Sequence, residues 1–252
     1  MAARILVVAN PPHGEFDPQR AAPQLGLTAA DVAMKARYPI PEIWLARDDP
    51  AHAEAATREL AEAGFHVTVV AGEALRDVPP QAEVISFSFS EAGLVAILEG
   101  GEVTLTYDLP IIAVLCVPRQ AAETDVTRPP SAFLDIYASL DGSLSRISVI
   151  QNVTDFSGLG HPTPPSAAGR LMKCAAECEA RFTRGQVDRR LVHMQLRRRT
   201  LVSVMTPPSG QLRKGFSYAT EALTSLLGSI SPALKDLSHV ELSSRLAYLT
   251  RR

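Results

Sequence analysis

The chain has 252 residues, 46% of them hydrophobic, with 25 Lys and Arg against 27 Asp and Glu, 19 Pro, 15 Gly and 3 Cys. At roughly 100–150 residues per domain this makes one large or two modest folded units with enough apolar chain to bury a core, and it excludes full disorder, a collagen-like fibre and a disulfide scaffold. A formal net charge of −2 excludes a uniformly basic nucleic-acid protein.

Ile5–Ala9 reads as a buried strand, too short for a signal-peptide core and followed by Asn10-Pro11-Pro12 in place of a small-residue cleavage site, so no leader is expected. Two prolines without amide donors and the turn-former Gly14 end it in a loop. Asn10-Pro11-Pro12-His13 is similar to the Asn-Pro-Pro-aromatic motif of amino-group methyltransferases. Its fourth residue is His and no Gly-rich turn follows another strand to receive a cofactor, so the segment reads as a strand-ending loop.

Thr28 is placed to cap a helix over Ala29–Ala36, which Pro39 and Pro41 end. Glu42–Ala46 is a second strand with Trp44 in the core. Asp48-Asp49-Pro50 opens a helix with an acidic cap and Pro in its first turn, and its buried stripe is Ala53, Ala56, Leu60 and Ala63. Gly64 stops that helix, and Phe65–Val70 alternates as a third strand. The order strand, helix, strand, helix, strand implies a small open sheet covered by helices. Leu25-Gly26-Leu27-Thr28-Ala29-Ala30, then Asp49 with Ala53-Glu54, then Leu60 to Val67 resemble the C-terminal domain of the bacterial ribosomal stalk protein. That family has a Gly-Leu-Gly-Leu helix start and a closing helix ending in an Ala-Gly turn. The resemblance covers residues 25–70 and implies a fold. Factor binding does not carry over, because the lysines that family uses have no counterpart at Thr28 or Asp31.

Pro79-Pro80 marks the first boundary. Beyond it Glu83–Phe89, Gly93–Leu98, Glu102–Tyr107 and Ile111–Val117 read as an antiparallel meander, followed by a polar linker, Gln120–Pro130. A hairpin follows, Ala132–Ser139 and Ser145–Gln151 around Asp141-Gly142, then a loop, Asn152–Pro165. Ser166 caps a helix from Ala167 to Phe182 whose inner face holds Leu171, Cys174, Ala175, Cys178 and Phe182. The Glu91-Ala92-Gly93-Leu94 turn, the apolar strand Tyr107–Val117 and the closing helix resemble bacterial pleckstrin-homology-like folds over residues 81–184. The chain is also similar to uncharacterised bacterial proteins that join these two modules and carry an Asp-Phe-Ser-Gly-Leu-Gly segment, here Asp155–Gly160; that likeness implies architecture alone. Further on, Val187, Leu191, Met194, Leu201 and Met205 recur at helix-like steps, though Thr200–Val204 reads equally as a strand. Phe216–Leu227 and Ser238–Leu249 read as helices. The expected fold is thus α+β: a small α/β sandwich (1–79), an antiparallel pleckstrin-homology-like β meander with a closing helix (80–185) and a basic helical C-terminal extension (186–252).

Charge is segregated along the chain. Residues 1–180 hold 12 basic and 23 acidic side chains, whereas Arg181, Arg184, Arg189, Arg190, Arg197, Arg198, Arg199, Arg213 and Lys214 are opposed within their own window by Asp188 alone. These nine are the candidate binding residues for a phosphate-bearing or acidic-protein surface, because guanidinium groups fork onto phosphate oxygens. The competing reading is a segment that packs over the acidic modules or a solvated face. Aromatic residues are missing between Thr183 and Gly215, which argues against single-stranded nucleic acid.

Cys174 and Cys178 share a helix face and, with Cys116 and His161 or His193, would be needed together to hold zinc. No paired ligand motif supports this, and a small apolar helix face explains both cysteines, so no metal or cofactor is expected. Asp155, Ser157 and His161 invite a Ser-His-Asp reading, but at this spacing they read as a turn held by Asp and Ser side chains. Three cysteines cannot all pair, which fits a reducing cytoplasm, and the longest apolar run, Ile111–Val117, is far short of the ~20 residues a membrane span needs. The expected function is a non-catalytic cytoplasmic adaptor or scaffold that binds another macromolecule, with a protein as the expected partner, through the Arg-rich surface. The alternatives are a nucleic-acid or anionic-membrane binder using the same arginines, and an enzyme with its site at the 152–165 loop.

Overall fold

The structure, a computed structural model, describes residues 5–10, 14–37, 40–119, 131–195, 203–204, 219–235 and 237–252. The chain divides into two compact units, one of residues 1–77 with 197–250 and one of residues 78–196.

The first unit opens with β1 (Ile5–Asn10), α1 (Pro18–Leu25), α2 (Ala29–Ala36), β2 (Glu42–Arg47), α3 (Pro50–Glu62), β3 (His66–Ala71) and α4 (Gly72–Asp77). β1 is central and antiparallel to both β2 and β3. Its unbroken apolar run is needed because both faces are covered: Val7 and Ala9 pack with Trp44, Leu60 and Phe65, while Leu6 and Val8 enter a second core on the other side. Local chemistry fixes the helix starts. Thr28 and Asp31 form a reciprocal capping box on α2, and the Asp49 carboxylate accepts from Ala51 N at 3.0 Å with Pro50 at the first helical position of α3. α1 falls where the sequence suggested only a loop. Asp17 caps it, accepting from Gln19 N at 2.9 Å and Arg20 N at 3.1 Å, but its internal Pro23 hides it from a propensity argument.

The second unit comprises β4 (Ala82–Phe89), β5 (Leu94–Leu98), β6 (Gly101–Leu105), β7 (Ile111–Arg119), β8 (Phe133–Leu140), β9 (Ser143–Ile150), a 3-10 turn at Ser157–Leu159, α5 (Ala167–Arg181), β10 (Gly185–Asp188) and β11 (Val192–Gln195). The expected single meander is two antiparallel triplets, β4-β5-β6 and β7-β8-β9, joined by a short parallel pairing of β4 with β9. Alternation marks a strand but does not name its neighbour, so β7 leaves β6 and takes β8 on one side and β10 on the other. The inner face of α5 (Leu171, Cys174, Ala175, Cys178) and Phe182 pack on Ala113, Leu115, Leu134 and Ile136.

From residue 186 the expected helical extension meets a different arrangement. β10 and β11 lie parallel along β7. The steps Val187, Leu191, Met194 suit a helix face, but here they serve a strand, a turn and a second strand, with Leu191 and Met194 buried. The chain then returns to the first unit. β12 (Ser203–Val204) runs parallel beside β2, and α6 (Ala219–Ile230), a 3-10 turn at Pro232–Leu234 and α7 (His239–Leu249) follow. Leu226, Leu227, Leu234, Leu242 and Leu246 close over Leu6, Val8, Ile43, Val70 and Leu75. Each such side chain contributes about 1.5–3 kcal/mol on burial, so these helices build the second core of the first unit and are not an appendage.

Candidate functional site

Four of the nine candidate basic residues are described; Arg197, Arg198, Arg199, Arg213 and Lys214 lie outside the described residues. Arg181 stands in the last turn of α5, where a cation also complements the helix dipole. Its Nε donates to Glu177 Oε2 at 2.8 Å, one turn back, and its guanidinium lies over the rings of Phe89 and Tyr107 at 5.4 and 6.0 Å. Hydrogen bonding to Glu177 and Tyr107 raises its pKa further. The chain is then pinned by Thr183, whose amide donates to the Tyr107 carbonyl at 2.9 Å, and the next residue, Arg184, is exposed. Asp108 is held below the usual carboxylate range by hydrogen bonding from Thr106 and its own backbone, with the Arg184 charge adding to the effect.

Arg189, just after β10, forks onto Glu179: Nη1 donates to Oε1 at 3.2 Å and Nη2 to Oε2 at 2.8 Å. That contact lowers the Glu179 pKa and raises that of Arg189. Arg190 differs. Its side chain is 18% exposed and serves the buried Asp188 through Nε and Nη2. Burial alone would raise the Asp188 pKa, but the Arg190 hydrogen bonds prevail and hold it low. Arg190 is therefore bound to a structural task, while Arg181, Arg184 and Arg189 stand around the carboxyl end of α5. The side chains of Arg181 and Arg189 are 42% and 45% exposed, and solvent-exposed pairs of this kind contribute only about 0–1 kcal/mol.

The 152–165 loop is laid along β4. Thr154 Oγ1 donates to the Val84 carbonyl at 2.7 Å, and Asp155 N donates to the Ile85 carbonyl at 2.8 Å. Ser157 donates to Asp155 from both N and Oγ, each at 2.9 Å; these bonds form the turn expected from the sequence and lower the Asp155 pKa. His161 is exposed, and the Ser157 hydroxyl is committed to Asp155 directly. Lys173 Nζ ties the far side of the loop to α5 through the carbonyls of Gly160 (3.2 Å) and Pro162 (2.8 Å). Gly158 sits so close to β4 that a Cβ would fall 1.6 Å from the Phe87 carbonyl oxygen. Gly158→Ala is expected to lift the loop and cost about 1–3 kcal/mol or more, read as a lower urea midpoint; an unchanged midpoint would mean that the loop is not seated on β4.

The cysteines do not converge. Cys174 and Cys178 face the core from α5 along with Ala113 and Leu115 of β7, and strand alternation turns Cys116 to the opposite face. All three thiols are buried, and burial pushes the pKa of Cys116 up. Among the described residues no group of three or more His, Cys, Asp or Glu could hold a metal ion, and no helix is long and apolar enough to cross a membrane.

Two buried ion pairs escaped the sequence reading. In the second unit Asp135 accepts from Arg146 Nε at 3.1 Å and Nη2 at 2.7 Å, Ser148 Oγ at 2.5 Å and Gln81 Nε2 at 3.1 Å. In the first, Lys35 Nζ meets Glu42 Oε2 at 2.6 Å and lies 5.4 Å from the centre of the Trp44 ring. Asp135 interrupts the apolar run Phe133–Ala138, and Glu42 opens an apolar strand; these interruptions were the available signal, and both look like solvent-facing positions.

No protein-family model matches the chain, and neither a curated protein nor a solved structure matches it significantly.

Proposed function

We propose that this protein is a non-catalytic cytoplasmic adaptor that binds an acidic protein partner through Arg181, Arg184 and Arg189, with Arg197, Arg198, Arg199, Arg213 and Lys214 supplying further charge. The observation that carries this reading is the way the exposed guanidinium groups are held. Arg181 and Arg189 each rest on one exposed or half-exposed carboxylate of α5, Glu177 and Glu179. A partner's carboxylates can replace these one for one at little cost, since the internal pairs lie in solvent. Arg190 is left out because it stabilises the buried Asp188. Three buried thiols support a reducing compartment. Two antiparallel triplets closed by α5 support the pleckstrin-homology-like reading of the second unit, and the order β1-α1-α2-β2-α3-β3 supports a stalk-domain-like reading of the first.

The full chain should be titrated, at low and near-physiological salt, against a labelled polyglutamate peptide, a DNA duplex and phosphatidylserine vesicles. The expected result is peptide binding that weakens with salt and falls about tenfold or more, roughly 1.4 kcal/mol, in Arg181→Ser/Arg184→Ser/Arg189→Ser, with the thermal midpoint checked in parallel. Binding to the duplex or the vesicles alone would replace the acidic protein by a phosphate-bearing partner. Absence of salt-dependent binding to all three would overturn the reading.

A further inference from the structure

The first unit contains a buried carboxylate with one oxygen unaccounted for. Glu42, at the head of β2, is 4% exposed and gives Oε2 to Lys35, while its Oε1 is buried and receives no hydrogen bond among the described residues. Buried polar atoms are nearly always satisfied, and a charged acceptor stripped of water without a donor is among the costliest exceptions. Glu42 also lines a pocket between the head of β2 and the first turns of α7. Ile43, Leu242 and Leu246 form its apolar wall, and Glu42, His239 and Ser243 are its polar members.

We propose that this pocket is a binding site for one neutral hydrogen-bond donor of water's size, a water molecule or a single hydroxyl group, which donates to Glu42 Oε1. Size comes first. The cavity volume is about 10 Å³, which on the same measure is about the room one water occupies (roughly 10–15 Å³). Charge excludes a cation. Lys35 already neutralises the carboxylate with its own side chain only 2% exposed, so a second positive charge would be buried without a counter-ion. A metal ion would need more donors than the described residues bring together here. A neutral donor meets the carboxylate's need, and the Ser243 hydroxyl and the His239 ring, on the same wall, offer the two to four polar contacts that a held water makes. The occupant would bridge the first strand-edge residue of β2 to α7, joining the returning C-terminal helix to the sheet by a polar contact within an otherwise apolar seam.

The test is a crystal structure of the full chain at a resolution that shows ordered water, grown with rubidium in place of sodium, with a second crystal soaked in methanol. The expected result is a peak without anomalous signal at about 2.6–3.2 Å from Glu42 Oε1. In the methanol crystal a single-atom peak identifies water, and a peak with an added methyl shows that a ligand hydroxyl is accepted; both uphold the site. An empty pocket, an anomalous rubidium peak or a protein donor turned onto Oε1 would overturn it. Ser243→Val gives an independent readout in solution, since it fills the pocket and leaves the Lys35–Glu42 pair in place. If a donor is held there, its displacement strands Oε1 and lowers the melting temperature by several degrees; if the pocket is empty, filling it leaves the melting temperature unchanged or raised, and the proposal fails.

Discussion

Asp135→Ala is expected to destabilise the second unit by about 3–5 kcal/mol, seen as a large drop in the urea midpoint with little change in slope. The substitution does more than delete a contact. Arg146 is fully buried and would keep its charge with no counter-ion, and the Ser148 hydroxyl and the Gln81 amide would lose the acceptor they share. The network also sets the register of the β8–β9 hairpin. Asp135 lies opposite Ser148 and Tyr137 opposite Arg146, and a slip of one residue would carry these polar groups to the apolar face under α5. The double replacement Asp135→Leu/Arg146→Met removes both charges at similar volume and should recover most of the loss, because buried pairs cost nearly as much desolvation as they return in attraction. If the single variant loses less than about 1 kcal/mol, in the range of a surface pair, the network is not sealed as described.

Lys35→Met is the second large effect, with an expected loss of about 3–5 kcal/mol in the first unit at neutral pH. The variant removes the counter-ion of the buried Glu42 carboxylate. Lys35→Met/Glu42→Leu should restore much of the stability. Measuring the urea midpoint of the three proteins separates a buried charge from simple loss of packing, because the double variant recovers stability only if the stranded carboxylate carries the loss. The position, not the polarity, of Lys35 sends it inward: Val32, Lys35 and Ala36 share the buried face of α2, while the more apolar Met34 is 55% exposed on the other.

Lys35 and Met34 thus invert the order that polarity alone predicts. The caps at Thr28, Asp49 and Ser166 were legible because each side chain bonds a backbone amide two or three residues away. The strands from β3 to β9 were legible for the same reason of range, since alternation and turn residues lie within a few positions of each other. α1 was lost because Pro23 weakens its local signal, although Asp17 and Gly26 mark its two ends. β10 and β11 were misread because Val187, Leu191 and Met194 fit a helical step, and only the open edge of β7 selects the strand. For the candidate site, the charge run itself was visible, but the division of labour among Arg181, Arg184, Arg189 and Arg190 was not. It depends on which carboxylate each can reach, Glu177 one turn back for Arg181 or Glu179 ten positions back for Arg189.

Taken alone, the sequence determined most of the elements and their ends, the mixed α+β class and the clustering of positive charge after residue 180. Tertiary structure alone decided which strand each edge accepts, that Leu226, Leu227, Leu234, Leu242 and Leu246 complete the second core of the first unit, and which charges are buried. Elements follow from bonds among residues a few positions apart, whereas Gln81 meets Asp135 across 54 positions and Thr154 meets Val84 across 70. Whether such groups meet depends on how the intervening chain packs, and no local pattern of residue types encodes it.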